Sequence, residues 1–134
     1  TVAPEIEELA KKIRQSGKDS ALPSFFKGEE QDYLKLSEIL FFETEGEVVY
    51  AHAASDSFET RMRLYELEAI LPQFFTRISR STIANTLHIF SIQRGLTRVG
   101  LVSFRGSYKE VYVSRMYGSI LKEKMNERYL YEKA

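Results

Sequence analysis

Residues 74–85 read FFTRISRSTIAN, from Phe74 to Asn85. A short β-like run opens the stretch, a small polar cluster follows, and a lone asparagine closes it. Phe75, Ile78 and Ile83 are apolar anchors, and Arg77, Ser79, Arg80 and Ser81 stand between them. A cationic, hydroxyl-rich strand end beside an amide side chain has the chemistry for phosphate and base-edge contacts. The same twelve residues also read as a half-buried strand with a solvated face. The choice between the two depends on the flanking chain.

On the upstream side, Leu64–Leu71 (LYELEAIL) carries an apolar stripe at helical spacing, and Pro72 ends it. Before that helix the signals are short strands between closely spaced turns: 24–27, 31–36, 38–44, 47–54 and 56–62. The last of these alternates Phe58, Thr60 and Met62 against Glu59, Arg61 and Arg63. On the downstream side, Thr86–Ile92 and Thr97–Phe104 read as strands around the Arg94-Gly95 turn, with Gly100 marking a bulge. Tyr108–Val113 alternates again. Met116–Tyr131 returns to helix, with Met116, Ile120, Leu121 and Met125 on its apolar face. At the other end, residues 4–15 predict an amphipathic helix with Ile6, Leu9, Ala10 and Ile13 on one stripe, stopped by Gly17. The expected fold class is mainly β with short helices, paired antiparallel. The expected division is a helical extension over 1–23 and one β domain over 24–134.

With 134 residues, the chain is long enough for one core and short for two. At 43% hydrophobic and 28% charged, it has the composition of an ordinary globular domain. No apolar run approaches the roughly 20 residues of a membrane span, and TVAPEIEELAKK has no signal-peptide pattern. A cytoplasmic location is expected. Because the first residue is Thr, an excised piece of a longer chain is one expectation. The absence of cysteine excludes disulfides, thiol nucleophiles and Cys-based zinc sites.

The formal net charge is zero, yet its distribution is uneven. Residues 29–73 hold eleven acids and three bases, whereas residues 74–118 hold seven bases and one acid, Glu110. A neutral protein with a basic half can still present a cationic face to a polyanion. The bland counterpart is internal pairing of the two halves. Of the two histidines, His52 sits in an apolar strand and His88 is remote from it, so no metal site is expected. The motifs GxSxG, HExxH, Walker A and GxGxxG do not occur, so neither catalysis nor a cofactor is expected.

The order of these features resembles the LytTR family of bacterial DNA-binding domains. The resemblance is carried by EILFFETEGEVVYAHA from Glu38, by RMRLYELEAILPQFFTRISRSTIAN, and by the closing YVSRMY. The family pattern is a strand ending in glutamate, a short helix, an F-x-R-i-x-[RK]-S-x-x-x-N core and a late v-S-R-x-y. It falls here on Glu43, on Leu64–Leu71, on Phe75, Arg77, Ile78, Arg80, Ser81 and Asn85, and on Ser114, Arg115 and Tyr117. The match runs in unbroken order over roughly residues 25–128.

The resemblance implies small stacked antiparallel sheets, with DNA read in the major groove by loops and strand ends rather than by a helix-turn-helix. It implies base contacts from Asn85 and Arg115, since Asn pairs with adenine and Arg with guanine. It assigns phosphate contacts to Arg77, Ser79, Arg80, Ser81, Ser114 and Tyr117. A third contact loop follows the early strand at Thr44, Glu45, Gly46 and Glu47. Two acids in that loop depart from the pattern: either the loop turns from phosphate, or one acid accepts from a cytosine amino group, and the first is the simpler account. Ala84 also stands where the family often has valine.

The implied partner is double-stranded promoter DNA with paired repeat sites, occupied by a homodimer. Residues 1–28 show no receiver pattern, which leaves a receiver-less regulator or an excised output domain. In the receiver-less case a membrane protein is the expected controlling partner. The alternative function is a protein-interaction module of the same fold that works through its acidic face.

Overall fold

The computed structural model describes residues 23–94, 100–128 and 130. The helix expected over 4–15 lies outside the described residues. The order is β1 (Phe25–Lys27), β2 (Glu30–Asp32), β3 (Phe41–Glu45), β4 (Val48–His52), β5 (Ser57–Thr60), α1 (Leu64–Ile70), β6 (Phe75–Ser79), β7 (Thr82–Asn85), β8 (Ile89–Arg94), β9 (Gly100–Phe104), β10 (Glu110–Val113) and α2 (Gly118–Glu127). The strands form a seven-stranded sheet in the order β2-β1-β5-β4-β3-β7-β6 and a three-stranded sheet in the order β10-β9-β8. The ladders are antiparallel throughout, as the closely spaced turns require.

The dense apolar run of β3 follows from burial on both faces. Successive side chains of a strand point to opposite faces, so Phe42 enters one core with Phe25, Ile39, Val49, Leu67, Phe75 and Ile83. Phe41 enters a second core with Leu40, Ile78, Ala84, Ile89, Val102, Val111 and Leu121. The first core lies against α1 and the second under the small sheet and α2. β7 divides in the same way, with Ile83 in the first core and Ala84 in the second. Helix α1 starts where Glu66 Oε1 accepts from the Arg63 N–H at 2.9 Å, and buries Leu64 and Leu67. The Leu71 N–H closes on the Leu67 carbonyl before Pro72 stops the turn.

Three local expectations are corrected. Thr82–Asn85, to which the sequence pattern gives no strand and only a lone closing asparagine, is a fully buried inner strand, β7, between β3 and β6. Thr and Asn sit there because hydrogen bonds satisfy them: Thr82 Oγ1 donates to Glu43 Oε2 at 3.2 Å. Gly100 does not mark a bulge. The irregular positions fall at Ile89/Ser91 and Arg77/Ser79, while Gly100 opens β9 close to Ile92, whose Cγ2 lies 3.3 Å from where a Cβ would stand. On α2, Leu121 is buried and Met125 half-buried, but Ile120 is exposed, and Met116 lies exposed in the 3-10 turn ahead of the helix. The helix rests on one narrow line, so the expected four-residue stripe is too wide.

Side chains from the β9–β10 connection pin the small sheet to the large one. Ser107 Oγ donates to the Ala54 carbonyl at 2.6 Å, and Lys109 Nζ donates to the Asp56 carbonyl at 2.8 Å and to His52 Nδ1 at 3.3 Å. His52 stacks on Phe41 with ring centroids 4.4 Å apart. Burial, then the neighbouring Lys109 charge, pushes it down to about 4. It is a structural histidine, neutral near pH 7.

Candidate nucleic-acid interface

Backbone pairing brings three turns to one edge of the molecule. The β3–β4 turn (Glu45-Gly46-Glu47) lies beside the β6–β7 turn (Ser79-Arg80-Ser81), because the Thr44 N–H bonds the Ser81 carbonyl at 2.8 Å. The 3-10 turn Arg115–Tyr117 joins from the other side through the Ser114 N–H, which bonds the Ile78 carbonyl at 2.8 Å. These are the three segments that the sequence pattern singled out, drawn from positions as far apart as Glu45 and Tyr117.

The β6–β7 turn is held from within. Arg77 Nε donates to the Ser79 carbonyl at 2.9 Å, Nη2 to the Arg80 carbonyl at 2.6 Å, and Nη1 to Glu68 Oε1 at 2.9 Å. The guanidinium therefore clamps two carbonyls of the turn and ties them to α1. These bonds use three of the five guanidinium N–H donors, and the side chain is 19% exposed, so the role the structure gives Arg77 is to hold the turn rather than the phosphate contact expected of it. Ser79 is half-buried, and its Oγ accepts from the Ser81 N–H at 3.2 Å, fixing the turn's shape. Arg80 and Ser81 are exposed at the tip. The Arg80 side chain has no hydrogen bond or ion pair among the described residues.

Asn85 requires the larger correction. It is 0% exposed. Its Nδ2 donates to the Ile39 carbonyl at 3.0 Å, and its Oδ1 accepts from the Leu87 N–H at 3.0 Å. Its own N–H bonds the Leu40 carbonyl at 2.8 Å. The amide ties the start of β3 to the turn after β7, and a base cannot reach it without opening the large sheet. Asn85 is a structural clasp and not a base contact.

Arg115 is exposed at the first position of its 3-10 turn, with no hydrogen bond or ion pair among the described residues. Ser114 is half-buried at the cap position. Tyr117 is half-buried, and its ring packs on the second core. In the β3–β4 turn, Thr44 is half-buried while Glu45, Gly46 and Glu47 are exposed. Gly46 takes φ +66°, a conformation that glycine adopts without steric cost. Behind this turn lies Glu43, which burial pushes above the usual carboxylate range, against the opposing hydrogen bond from Thr82. Sequence reasoning named Glu43 only as a pattern residue and missed its bond to Thr82. It also missed the Arg77–Glu68 pair, nine positions apart and joined only once α1 folds onto β6.

A groove of about 720 Å³ runs between the small sheet and α2. Phe90, Ile92, Val113, Leu121 and Met125 line it, and it reaches the three-turn edge only at Ser114. The chemistry at the edge is therefore that of exposed turns, which carry Arg80 and Arg115 beside Glu45 and Glu47, and not that of this groove.

The model of the LytTr DNA-binding domain matches residues 30–126. The chain belongs to this family. LytTr relatives include uncharacterized HTH-type transcriptional regulators of Staphylococcus aureus. Those of strains NCTC 8325 / PS 47 and COL are 33% identical over 96 residues, covering 69% of this chain and 63% of the relative. The counterpart in strain MRSA252 is 32% identical over the same length. The chain thus spans under two thirds of the length of these curated relatives. Among solved structures, the LytTr DNA-binding domain of a Bacillus cereus protein described as a methyl-accepting/DNA response regulator superposes with a TM-score of 0.70. It is 24% identical, and the match covers 76% of this chain and 94% of that one. The fold of stacked antiparallel sheets is therefore the LytTr fold. Among the described residues it contains no helix-turn-helix, because five strands separate α1 from α2.

Proposed function

We propose that this LytTr domain is the DNA-binding part of a transcriptional regulator and reads the major groove with its three-turn edge. The observation that carries the reading is the convergence of exposed Arg80 and Arg115 on one edge through the Thr44–Ser81 and Ser114–Ile78 backbone bonds. A two-strand turn about 5 Å across fits a major groove about 12 Å wide. Arg115 reads a guanine edge through its bidentate fork. With Asn85 buried, Arg80 at the tip is the second side chain able to reach a base. Ser79, Ser81 and Ser114 offer hydroxyls and backbone N–H groups to phosphate. Two copies on paired repeats would give the domain its operator, and a membrane protein remains the proposed controlling partner.

The test is equilibrium binding of wild type, Arg80→Ala and Arg115→Ala to a duplex enriched by the wild-type chain, measured across salt. Loss of a base contact lowers affinity by about 1–3 kcal/mol and relaxes discrimination at one position. Loss of a phosphate contact lowers the salt slope by about 0.9 and leaves discrimination intact. Wild-type discrimination and slope in both variants would remove the assignment.

One observation favours a second reading: Glu45 and Glu47 are exposed on the same edge as the arginines. In that reading the domain docks a protein through its acidic residues, and its affinity for any duplex is weak and independent of salt.

A further inference from the structure

We infer that Met116 determines specificity by packing against the 5-methyl group of a thymine next to the base read by Arg115; the inference rests on the DNA-binding reading above. Methionine is ordinarily a core residue, and its spacing ahead of α2 placed Met116 on the buried stripe. Met116 is instead 79% exposed. Neither core cluster includes it, and it directly follows exposed Arg115.

The exposure is imposed by the turn's anchors. The Ser114 N–H is held on the Ile78 carbonyl at 2.8 Å and the Tyr117 N–H on the Ser114 carbonyl at 3.0 Å, while the Tyr117 ring packs on the second core. With both ends of the turn tied, the two residues between them face solvent together.

Chemistry identifies the contact. Among the groups that bases present in the major groove, the thymine methyl is the apolar one, and an unbranched thioether is a deformable surface for it. Neighbouring Cα atoms lie about 3.8 Å apart, close to the roughly 3.4 Å rise along a DNA strand. A side chain next to Arg115 in the chain therefore starts within about one base step of the base that Arg115 reads. Arg115 supplies the polar contact and Met116 the apolar one at the next step.

The test uses the duplex enriched by the wild-type chain from a random library. Each thymine is replaced by uracil in turn, which removes the methyl and nothing else. One buried methyl corresponds to roughly a fourfold change in affinity. Wild type is expected to lose about that factor at one position, adjacent to the one where Arg115→Ala loses discrimination. Met116→Ala is expected to bind the thymine and uracil duplexes equally, with an unchanged melting curve. A thymine-to-uracil ratio in Met116→Ala equal to that of wild type overturns the inference. So does an equal loss on every duplex, the result expected if Met116 and Ile120 packed between two copies of the chain on the DNA. Failure of the wild-type chain to enrich any duplex overturns the DNA-binding reading itself, a distinct outcome.

Discussion

Replacing Asn85 with alanine separates a structural role from a recognition role. The substitution removes the donor to the Ile39 carbonyl and the acceptor for the Leu87 N–H, each bond 3.0 Å long. A buried polar group left without a partner costs about 1–3 kcal/mol. Ile39 is 0% exposed, so its carbonyl bears the full penalty, while half-buried Leu87 recovers part of its loss from water. The expected destabilisation is about 2–4 kcal/mol, a large share of the roughly 5–15 kcal/mol that holds a domain folded. At about 4 °C per kcal/mol for a chain of this size, the melting temperature falls by about 8–16 °C. In urea the midpoint drops while the slope stays constant, because the same surface is exposed on unfolding. Circular dichroism through a urea titration measures the first effect. Binding to the enriched duplex at low temperature, where the variant is still folded, measures the second. Affinity and base discrimination there should match wild type within about twofold. An Asn85→Ala variant with an unchanged urea midpoint and lost discrimination would refute the clasp and restore a base contact.

Arg77→Ala should lower both stability and DNA affinity, since it releases the Ser79 and Arg80 carbonyls and the Glu68 pair together. Arg77→Lys should fail to restore either in a melt or a binding titration, because an ammonium cannot reproduce the planar fork. Neutralising the β3–β4 turn with Glu45→Gln and Glu47→Gln should raise duplex affinity several-fold at low salt, with the gain vanishing near 1 M salt, where the screening length is about 3 Å; an unchanged affinity at low salt would mean that this turn faces away from phosphate. His52 has a folded value lowered to about 4 from 6.5. The unfolded chain therefore binds more protons between those values, and stability should fall as pH drops through that window and level off below it. In His52→Asn, urea midpoints measured from pH 7 to pH 4 should show a shallower fall.

Much of the fold was legible because it rests on short-range pattern. The stripe of α1 with Pro72 behind it, the alternation that buries Val111 and Val113, and the anchors Phe75, Ile78 and Ile83 all follow from spacing and burial. The three segments that meet at one edge were legible as an ordered set of motifs, and the residues between them did not obscure that order. The apolar line of α2 was misread because a helical spacing names residues that share a face and not how wide a surface will cover them. β7 was missed because Thr82, Ala84 and Asn85 carry little apolar signal, although tertiary contact buries every one of them.

The sequence by itself determined the element types, the polar tip of FFTRISRSTIAN and the concentration of arginines in its half of the chain. Tertiary structure alone decided which polar residues are spent on the fold and which are left for a partner. Arg77 and Arg80 are the same residue type three positions apart, yet one clamps the turn and the other extends from it. Asn85 was assigned to DNA by pattern and to the core by a carbonyl 46 residues away. The physical reason is that a polar side chain is buried only where distant backbone satisfies it, and no local stretch of sequence specifies which distant carbonyl or N–H will arrive.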